Sequence, residues 1–310
     1  MDTARFIDDL IQTPDRLGDL AIVLDRGIEP VLNPGRILLL GMGSSMFAAQ
    51  TAALEARSLG LSVVAELAST TLLPAPAPDL LVIAVSANGT SAEVLAAAER
   101  FLGGLVVVTN REDSPLAALG DRVVPLSAGP EESGVSCRSF RHTLLVLRAL
   151  LGLRGAGELA RSAAHANAAI LDTRKDWLAD LAEVMGGPDG TYVLGPADRF
   201  ASVQQSALMI REVPRRTSFA SETGDWAHID VYLTKPLDYR ALLLTGSAWD
   251  DQAVEWMTRR GSTLATVGSV HASAVATIDF PGSDDRLTAV LSELMVAELL
   301  AAHWLAVDDR

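Results

Sequence analysis

The sequence predicts an α/β protein with two domains, each a doubly wound parallel sheet flanked by helices in three layers, α/β/α. Three observations carry this expectation. Short apolar runs of four to six residues are uninterrupted rather than alternating, as expected of strands buried on both faces. Helical, Ala-rich stretches separate them, and strands alternating with helices imply a parallel sheet. The scheme starts twice along 310 residues, a length that is generous for one core and comfortable for two.

In order along the chain, residues 3–27 read as one or two amphipathic helices with a break at Pro14. Arg36–Gly41 is a short apolar strand ended by glycine, Phe47–Leu59 a helix and Ser62–Ala65 a second strand. Leu80–Val85 is a third strand, followed by the polar turn Ser86–Ser91 and a helix over Ala92–Phe101. Leu105–Val108 and Arg122–Pro125 are further strands, and Ser136–Leu151 is a helix. Residues 155–186 are largely helical. The second half repeats the pattern: strand Tyr192–Gly195, helix Arg199–Glu212, strand Ala241–Leu244, helix Trp249–Arg260, strand Thr263–Val267 and helix Leu287–Val307.

Composition narrows the function. The formal net charge is -14 and no basic cluster is present, which argues against nucleic acid, whose backbone is gripped by Lys and Arg. It also argues against an anionic membrane surface, but not against a small anion held in a local site. Only Lys175 and Lys235 could form an imine with a substrate. The single cysteine, Cys137, excludes an intramolecular disulfide, and it reads as a buried, inert thiol. The acidic N-terminus does not resemble a signal peptide and no uncharged apolar run reaches membrane-spanning length, so a cytoplasmic protein is expected. No metal cluster is visible at ligand spacings and no cofactor is expected.

Two turns carry the chemistry. Gly41-Met42-Gly43-Ser44-Ser45 joins a strand to a helix, where glycines allow close approach and the helix N-terminus suits an anion. Part of a dinucleotide fingerprint would look the same, with Glu66 as the ribose acid, but Met46 stands where the third glycine belongs. A plain strand-to-helix turn with hydroxyl caps is the simplest alternative. The second turn, Ser86-Ala87-Asn88-Gly89-Thr90-Ser91, also follows a strand and opens a helix. Two such hydroxyl-rich turns at carboxyl ends of one parallel sheet can face one crevice and make a neutral phosphate cradle.

These turns, with Val108-Thr109-Asn110, Ser114-Pro115-Leu116, Ala128-Gly129-Pro130-Glu131 and Ser136-Cys137-Arg138-Ser139-Phe140, resemble the sugar-isomerase (SIS) domain family. The similarity is greatest to the isomerase part of glucosamine-6-phosphate synthase and to stand-alone phosphosugar isomerases, deaminases and deglycases. The resemblance divides the chain into an N-terminal helical segment (1–30), a first SIS domain with the phosphate loops (31–155), a helical linker (156–186) and a second SIS domain (187–310). It implies that Ser45, Ser86, Asn88 and Ser91 hold a sugar phosphate, with Ser44 and Ser136 beside them. Asn88 stands where the family usually has serine, and its carboxamide can still donate a hydrogen bond.

In the second half, Leu194–Phe200, Ser206–Glu212 and Gly224–His228 resemble the family's strand opening, its catalytic helix and its Gly-Glu-Leu-Lys-His element. The resemblance implies Glu212 as the proton-transferring base and His228 as the ring-opening group, contributed by the neighbouring subunit of a homodimer. This fits the chemistry: moving a proton between C1 and C2 needs one carboxylate near both carbons, and histidine suits ring opening near neutral pH. Without the resemblance, Glu212 beside Arg211, Arg215 and Arg216 reads as a surface ion pair, and His228 as a structural histidine. His142, His165, His271 and His303 read as structural.

The chain departs from the synthase pattern. Ala306–Arg310 carries no lysine where the synthase has an imine-forming one; Met209 and Ala227 replace other lysines, and Gln205 a glutamate. These losses leave open an enediol route needing only Glu212 and His228, and equally a general acid–base deamination or deglycation, with Arg211 or Arg138 as candidate positive charge near a developing enediolate. The resemblance implies a small-molecule sugar phosphate as the partner. A regulator that senses a phosphosugar without turnover and a nucleotide-dependent oxidoreductase remain the competing readings, and isomerase, deaminase and deglycase are not separable at this level.

Overall fold

The computed structural model describes residues 2–31 and 35–308, which fold as two compact units. One is Asp15–Arg161; the other joins the N-terminal helix to Ser162 onward.

The elements are α1 (Thr3–Ile11), α2 (Thr13–Arg26), β1 (Arg36–Gly41), α3 (Gly43–Ser58), β2 (Val63–Leu67), β3 (Leu80–Val85), α4 (Ala92–Ala98), β4 (Leu105–Thr109), β5 (Arg122–Pro125), α5 (Arg138–Leu150) and α6 (Ala156–Thr173). They continue as α7 (Leu178–Met185), β6 (Thr191–Gly195), α8 (Phe200–Glu212), β7 (Ser218–Glu222), α9 (Thr223–Ile229), β8 (Arg240–Leu244), α10 (Asp250–Arg259), β9 (Thr263–Val267), β10 (Ala276–Ile278), α11 (Arg286–Ser292) and α12 (Leu294–Asp308).

In the first unit five parallel strands run in the order β2-β1-β3-β4-β5, with Leu39 opposite Ala65 on one side and Ile83 on the other. Side chains alternate faces along a strand. Leu38, Leu40, Val82, Ala84, Leu105 and Val107 therefore share one face, where they bury Val94, Ala97 and Ala98 of α4 with Phe101. The helices α3 and α5 pack on each other, and α3 covers β1 and β2 from the opposite face. The second unit repeats the order as β7-β6-β8-β9-β10, again all parallel. One face of that sheet buries Tyr192, Leu194, Ala241 and Leu243 beneath Trp226 of α9 and Ala253 and Met257 of α10. In both sheets the strand order reverses beside the first strand, between β1 and β3 and between β6 and β8. A crevice at the carboxyl ends of the strands follows from that reversal.

Four local expectations are corrected. Pro14 does not break a helix: it sits in the first turn of α2, where a missing N–H costs nothing, and the break falls at Gln12. The segments Ser218–Glu222 and Ala276–Ile278 are strands. Both lie at sheet edges, where one partner suffices and a continuous apolar run is not required. The helix expected over Leu287–Val307 is two, because the chain tightens at Glu293, whose carbonyl takes the N–H of Val296. Residues Arg286–Asp308 are long and apolar enough to cross a membrane by length and composition. Most of that stretch is instead buried inside its unit, where α12 lies against α1, α7 and α8.

Candidate active site

The first hydroxyl-rich turn leaves β1 at Gly41 and enters α3 at Gly43, which has a left-handed φ of 50°. Met42, at the N-cap, has an extended backbone and no side chain closing the first turn, so N–H groups there are left to a ligand. The second turn is fixed more tightly. Gly89 has φ 64° and donates its N–H to the Ser86 carbonyl and hydroxyl at 3.1 and 3.2 Å. A Cβ at Gly89 would lie 2.0 Å from Ser114 Oγ, so only glycine fits. The Asn110 N–H and the Thr109 hydroxyl both donate to Ala87 O, and the Leu116 N–H donates to Gly89 O. The Asn110 carboxamide in turn clamps the next loop, donating to Gly129 O and accepting from the Ala128 N–H.

These constraints bring all six predicted phosphate-loop residues to one place. Ser44, Ser45, Ser86, Asn88, Ser91 and Ser136 line a single hollow of about 180 Å³ at the carboxyl ends of β1 and β3. Thr90 lines it as well; it belongs to the second hydroxyl-rich turn, and nothing in the local sequence separates its hydroxyl from those of Ser86 and Ser91. Among the described residues no charged side chain lines the hollow. An oxyanion there would be held by hydroxyls, a carboxamide and backbone N–H groups, which turn to suit it without a fixed counter-charge.

Behind the hollow, Glu131 accepts the N–H groups of Cys137, Arg138 and Ser139 at 2.9, 2.6 and 3.0 Å. Its carboxylate thus occupies the N-terminus of α5, next to Ser136. Burial pushes its pKa up, against the lowering effect of those hydrogen bonds and of Arg138. His142, fully buried in α5, meets Leu126 O through Nδ1 at 2.8 Å, and burial lowers its pKa to about 4. Arg138, Arg141 and Arg16 lower it further, while the Leu126 carbonyl raises it. His142 is therefore a neutral core group. Cys137 is buried and in no disulfide.

The second pair is placed differently. Starting just beyond the carboxyl end of β6, α8 runs back along the sheet for 13 residues, about 20 Å. Glu212, its last residue, is exposed at the opposite edge, where the neighbouring Arg211 guanidinium donates to Ser218 O at the start of β7. His228 follows β7, exposed on α9. Glu212 and His228 thus lie on either side of one edge strand, Glu212 before its amino end and His228 after its carboxyl end. The helix that carries His228 is firmly held: Glu222 caps it through the Asp225 N–H at 2.7 Å, Asp230 takes the Ser221 hydroxyl, and buried Trp226 donates from Nε1 to Tyr239 Oη at 2.7 Å. Burial pushes the Tyr239 phenol far up. The two arginines considered as positive charge are both engaged at carbonyls, Arg211 at Ser218 and Arg138 at Pro130, and neither lines the hydroxyl hollow.

The equivalent crevice of the second sheet is filled by the chain itself. Buried Arg199 lies 3.3 Å from buried Glu293 and donates to Thr245 O, close against Gly246. Ser202 donates to the same carboxylate, and burial pushes Glu293 up despite the adjacent Arg199.

Comparison with known proteins places the fold in a class. Residues 31–153 match the model of the SIS domain, so the unit that carries the hydroxyl hollow is an SIS domain. Over 131 residues, 41% of this chain, the sequence is 34% identical to the 3-hexulose-6-phosphate isomerase of Mycobacterium gastri; the match spans 58% of that relative. The C-terminal domain of glucosamine-fructose-6-phosphate aminotransferase from Francisella tularensis superposes with a TM-score of 0.83 at 14% identity, covering 98% of this chain and 95% of that one. Tagatose-6-phosphate ketose/aldose isomerase from Escherichia coli gives 0.81 at 19% identity, covering 99% and 95%. The chain is a two-domain α/β protein that shares the fold of these structures over nearly its whole length, and its residues 31–153 carry the SIS match.

Proposed function

We propose that this chain is a phosphosugar isomerase that interconverts aldose and ketose forms of a sugar 6-phosphate. The observation that carries this reading is the convergence of Ser44, Ser45, Ser86, Asn88, Ser91 and Ser136 on one uncharged hollow at the switch point of the first sheet. Such a hollow suits a terminal phosphate monoester approached from several sides. The likeness to a relative named as a hexulose-phosphate isomerase supports the substrate class.

In this reading the phosphate anchors the sugar while the opposite end reacts. His228 of a second copy moves a proton between the ring oxygen and the anomeric hydroxyl, which opens the ring. The Glu212 carboxylate takes the proton from the hydroxyl-bearing carbon beside the carbonyl, giving an enediolate, and the proton of that carbon's hydroxyl passes to the former carbonyl oxygen. Return of the proton from Glu212 to the neighbouring carbon completes the exchange, with no net gain or loss of atoms. The separation of Glu212 from His228 within one chain supports a homodimer in which each site draws on both copies. Neither a cofactor nor an imine is needed, and the protein works in the cytoplasm. Loss of ammonia from a 2-amino sugar phosphate would begin with the same proton transfer.

The test is turnover. Candidate hexose and pentulose phosphates are incubated in deuterated water and product and C–H exchange are followed by NMR. Isomerisation or exchange by the wild type, absent in Glu212→Gln, supports the reading. Binding with no exchange for any phosphosugar would identify a sensor instead.

A further inference from the structure

The second unit holds a further hollow that the sugar-phosphate reading does not use. It lies at the amino ends of β6 and β7, the edge opposite the crevice closed by Arg199. The turn between α7 and β6 forms one wall through Gly187 and Gly190, and the turn before β7 forms the other through Arg215, Arg216 and Thr217, with Trp304 of α12 as floor. Its volume is about 290 Å³.

Two features set it apart. Among the described residues no carboxylate lines it, in a chain with 39 acidic residues against 25 basic ones. And its two arginines are in different states. Arg216 is fixed: it pairs with Asp308 through Nη2 at 2.8 Å and Nε at 3.2 Å, and its guanidinium stacks 4.7 Å over the Trp304 ring. Arg215 is exposed, and its guanidinium has no ion-pair or hydrogen-bond partner among the described residues. Its backbone has φ 58°, one of two non-glycine residues among those described with a left-handed φ. That conformation is unfavourable for a side chain with a Cβ and persists where the surroundings enforce it, often at ligand clamps. Here the Arg216 N–H bonds Ile210 O and the Thr217 carbonyl takes the Thr191 N–H, so the turn is held on both sides of Arg215.

We propose that this hollow is a second anion site, in which Arg215 grips a phosphate group, free or esterified, against the wall that Arg216 and Thr217 form. A guanidinium offers a planar pair of N–H donors matched to phosphate oxygens, and a free one beside a fixed one is ready for a bridging oxyanion. Glu212 stands three residues before Arg215, at the end of α8. Occupancy of the hollow would therefore stiffen the turn that follows the proposed base. The site does not depend on the isomerase reading.

Isothermal titration separates the two sites. The full-length Ser86→Ala protein is titrated with inorganic phosphate and, in a second arm, with a hexose 6-phosphate, at constant ionic strength because exposed charge is screened by salt. The proposal expects phosphate binding to survive Ser86→Ala and to weaken at least about tenfold when Arg215→Gln is added, with Arg215→Lys intermediate because it keeps charge but not the planar fork. Arg215→Gly, which relieves the left-handed strain, is expected to lose binding with an unchanged or higher Tm, showing that the loss is not one of folding. Retained affinity in the double variant, or no phosphate binding by Ser86→Ala up to about 10 mM, would overturn the proposal. Binding of both probes or of only one identifies the phosphate source.

Discussion

The hydroxyls of Ser86 and Ser91 lie 3.2 Å apart across the turn that opens α4, and both line the uncharged hollow. Either can donate to the other, so each can release its proton toward an incoming oxyanion without breaking a fixed ion pair. The turn is thereby set before the ligand arrives.

Gly89 is the residue that sets it. Gly89→Ala places a methyl 2.0 Å from Ser114 Oγ at a φ of 64°, so the turn must shift. We expect the protein to fold with a loss of about 1–3 kcal/mol and to bind phosphosugar at least about tenfold more weakly. Urea unfolding and a ligand titration on the same preparation check both halves. An alanine variant with wild-type affinity would show that the turn's shape is unimportant.

The buried histidine makes stability depend on acid. The folded pKa of His142 is about 4 and the unfolded value about 6.5. Because the folded value is the lower, the unfolded chain takes the proton first. The contribution is whole above about pH 6.5 and is lost as pH falls toward 4, by at most about 1.4 kcal/mol per pH unit. Glu131, Asp250 and Glu293 are raised by burial and act in the opposite sense, retaining stability as pH falls toward their ordinary range. Comparison with His142→Asn, whose Nδ2 can still reach Leu126 O, isolates the histidine. Denaturation midpoints between pH 7 and 4 should fall more steeply for the wild type.

Arg199 and Glu293 close the second crevice as a buried pair. Glu293→Ala leaves the guanidinium without its partner, and a cost of about 3–5 kcal/mol is expected from chemical denaturation. Replacing both by apolar residues, Arg199→Met with Glu293→Leu, should recover much of that loss. A double variant as unstable as the single one would mean that the pair specifies the crevice's shape beyond its own charge balance.

Separation of Glu212 from His228 gives a complementation test. Glu212→Gln and His228→Asn should each be inactive alone. Mixed after unfolding and refolding, a homodimer with shared sites recovers about a quarter of wild-type turnover, since half the dimers are mixed and each has one intact site. No recovery would place both residues in one chain's site.

Much of this was legible in the chain. The apolar runs Arg36–Gly41, Leu80–Val85 and Thr263–Val267 are strands with the expected bounds, because a strand buried on both faces is a continuous aliphatic segment. The hydroxyl turns were legible because two of them, Gly41–Ser45 and Ser86–Ser91, each follow such a strand and open a helix, and the pair together suits an anion better than one capped turn would. Ser218–Glu222 was not: an edge strand carrying Ser and Glu has neither alternation nor an apolar run, and only its pairing to β6 makes it a strand. The Arg199–Glu293 plug and the Arg215 hollow were equally hidden. Both join residues distant in sequence, and no local pattern marks which arginine is paired and which is free.

Titration of a hexose 6-phosphate and of the same free hexose into the wild type and Ser86→Ala tests the central claim most directly. The account predicts binding of the phosphorylated sugar alone, weakened at least about tenfold in Ser86→Ala through loss of a hydroxyl to the phosphate. Equal binding of the free and phosphorylated sugars, or unchanged affinity in Ser86→Ala, would contradict it.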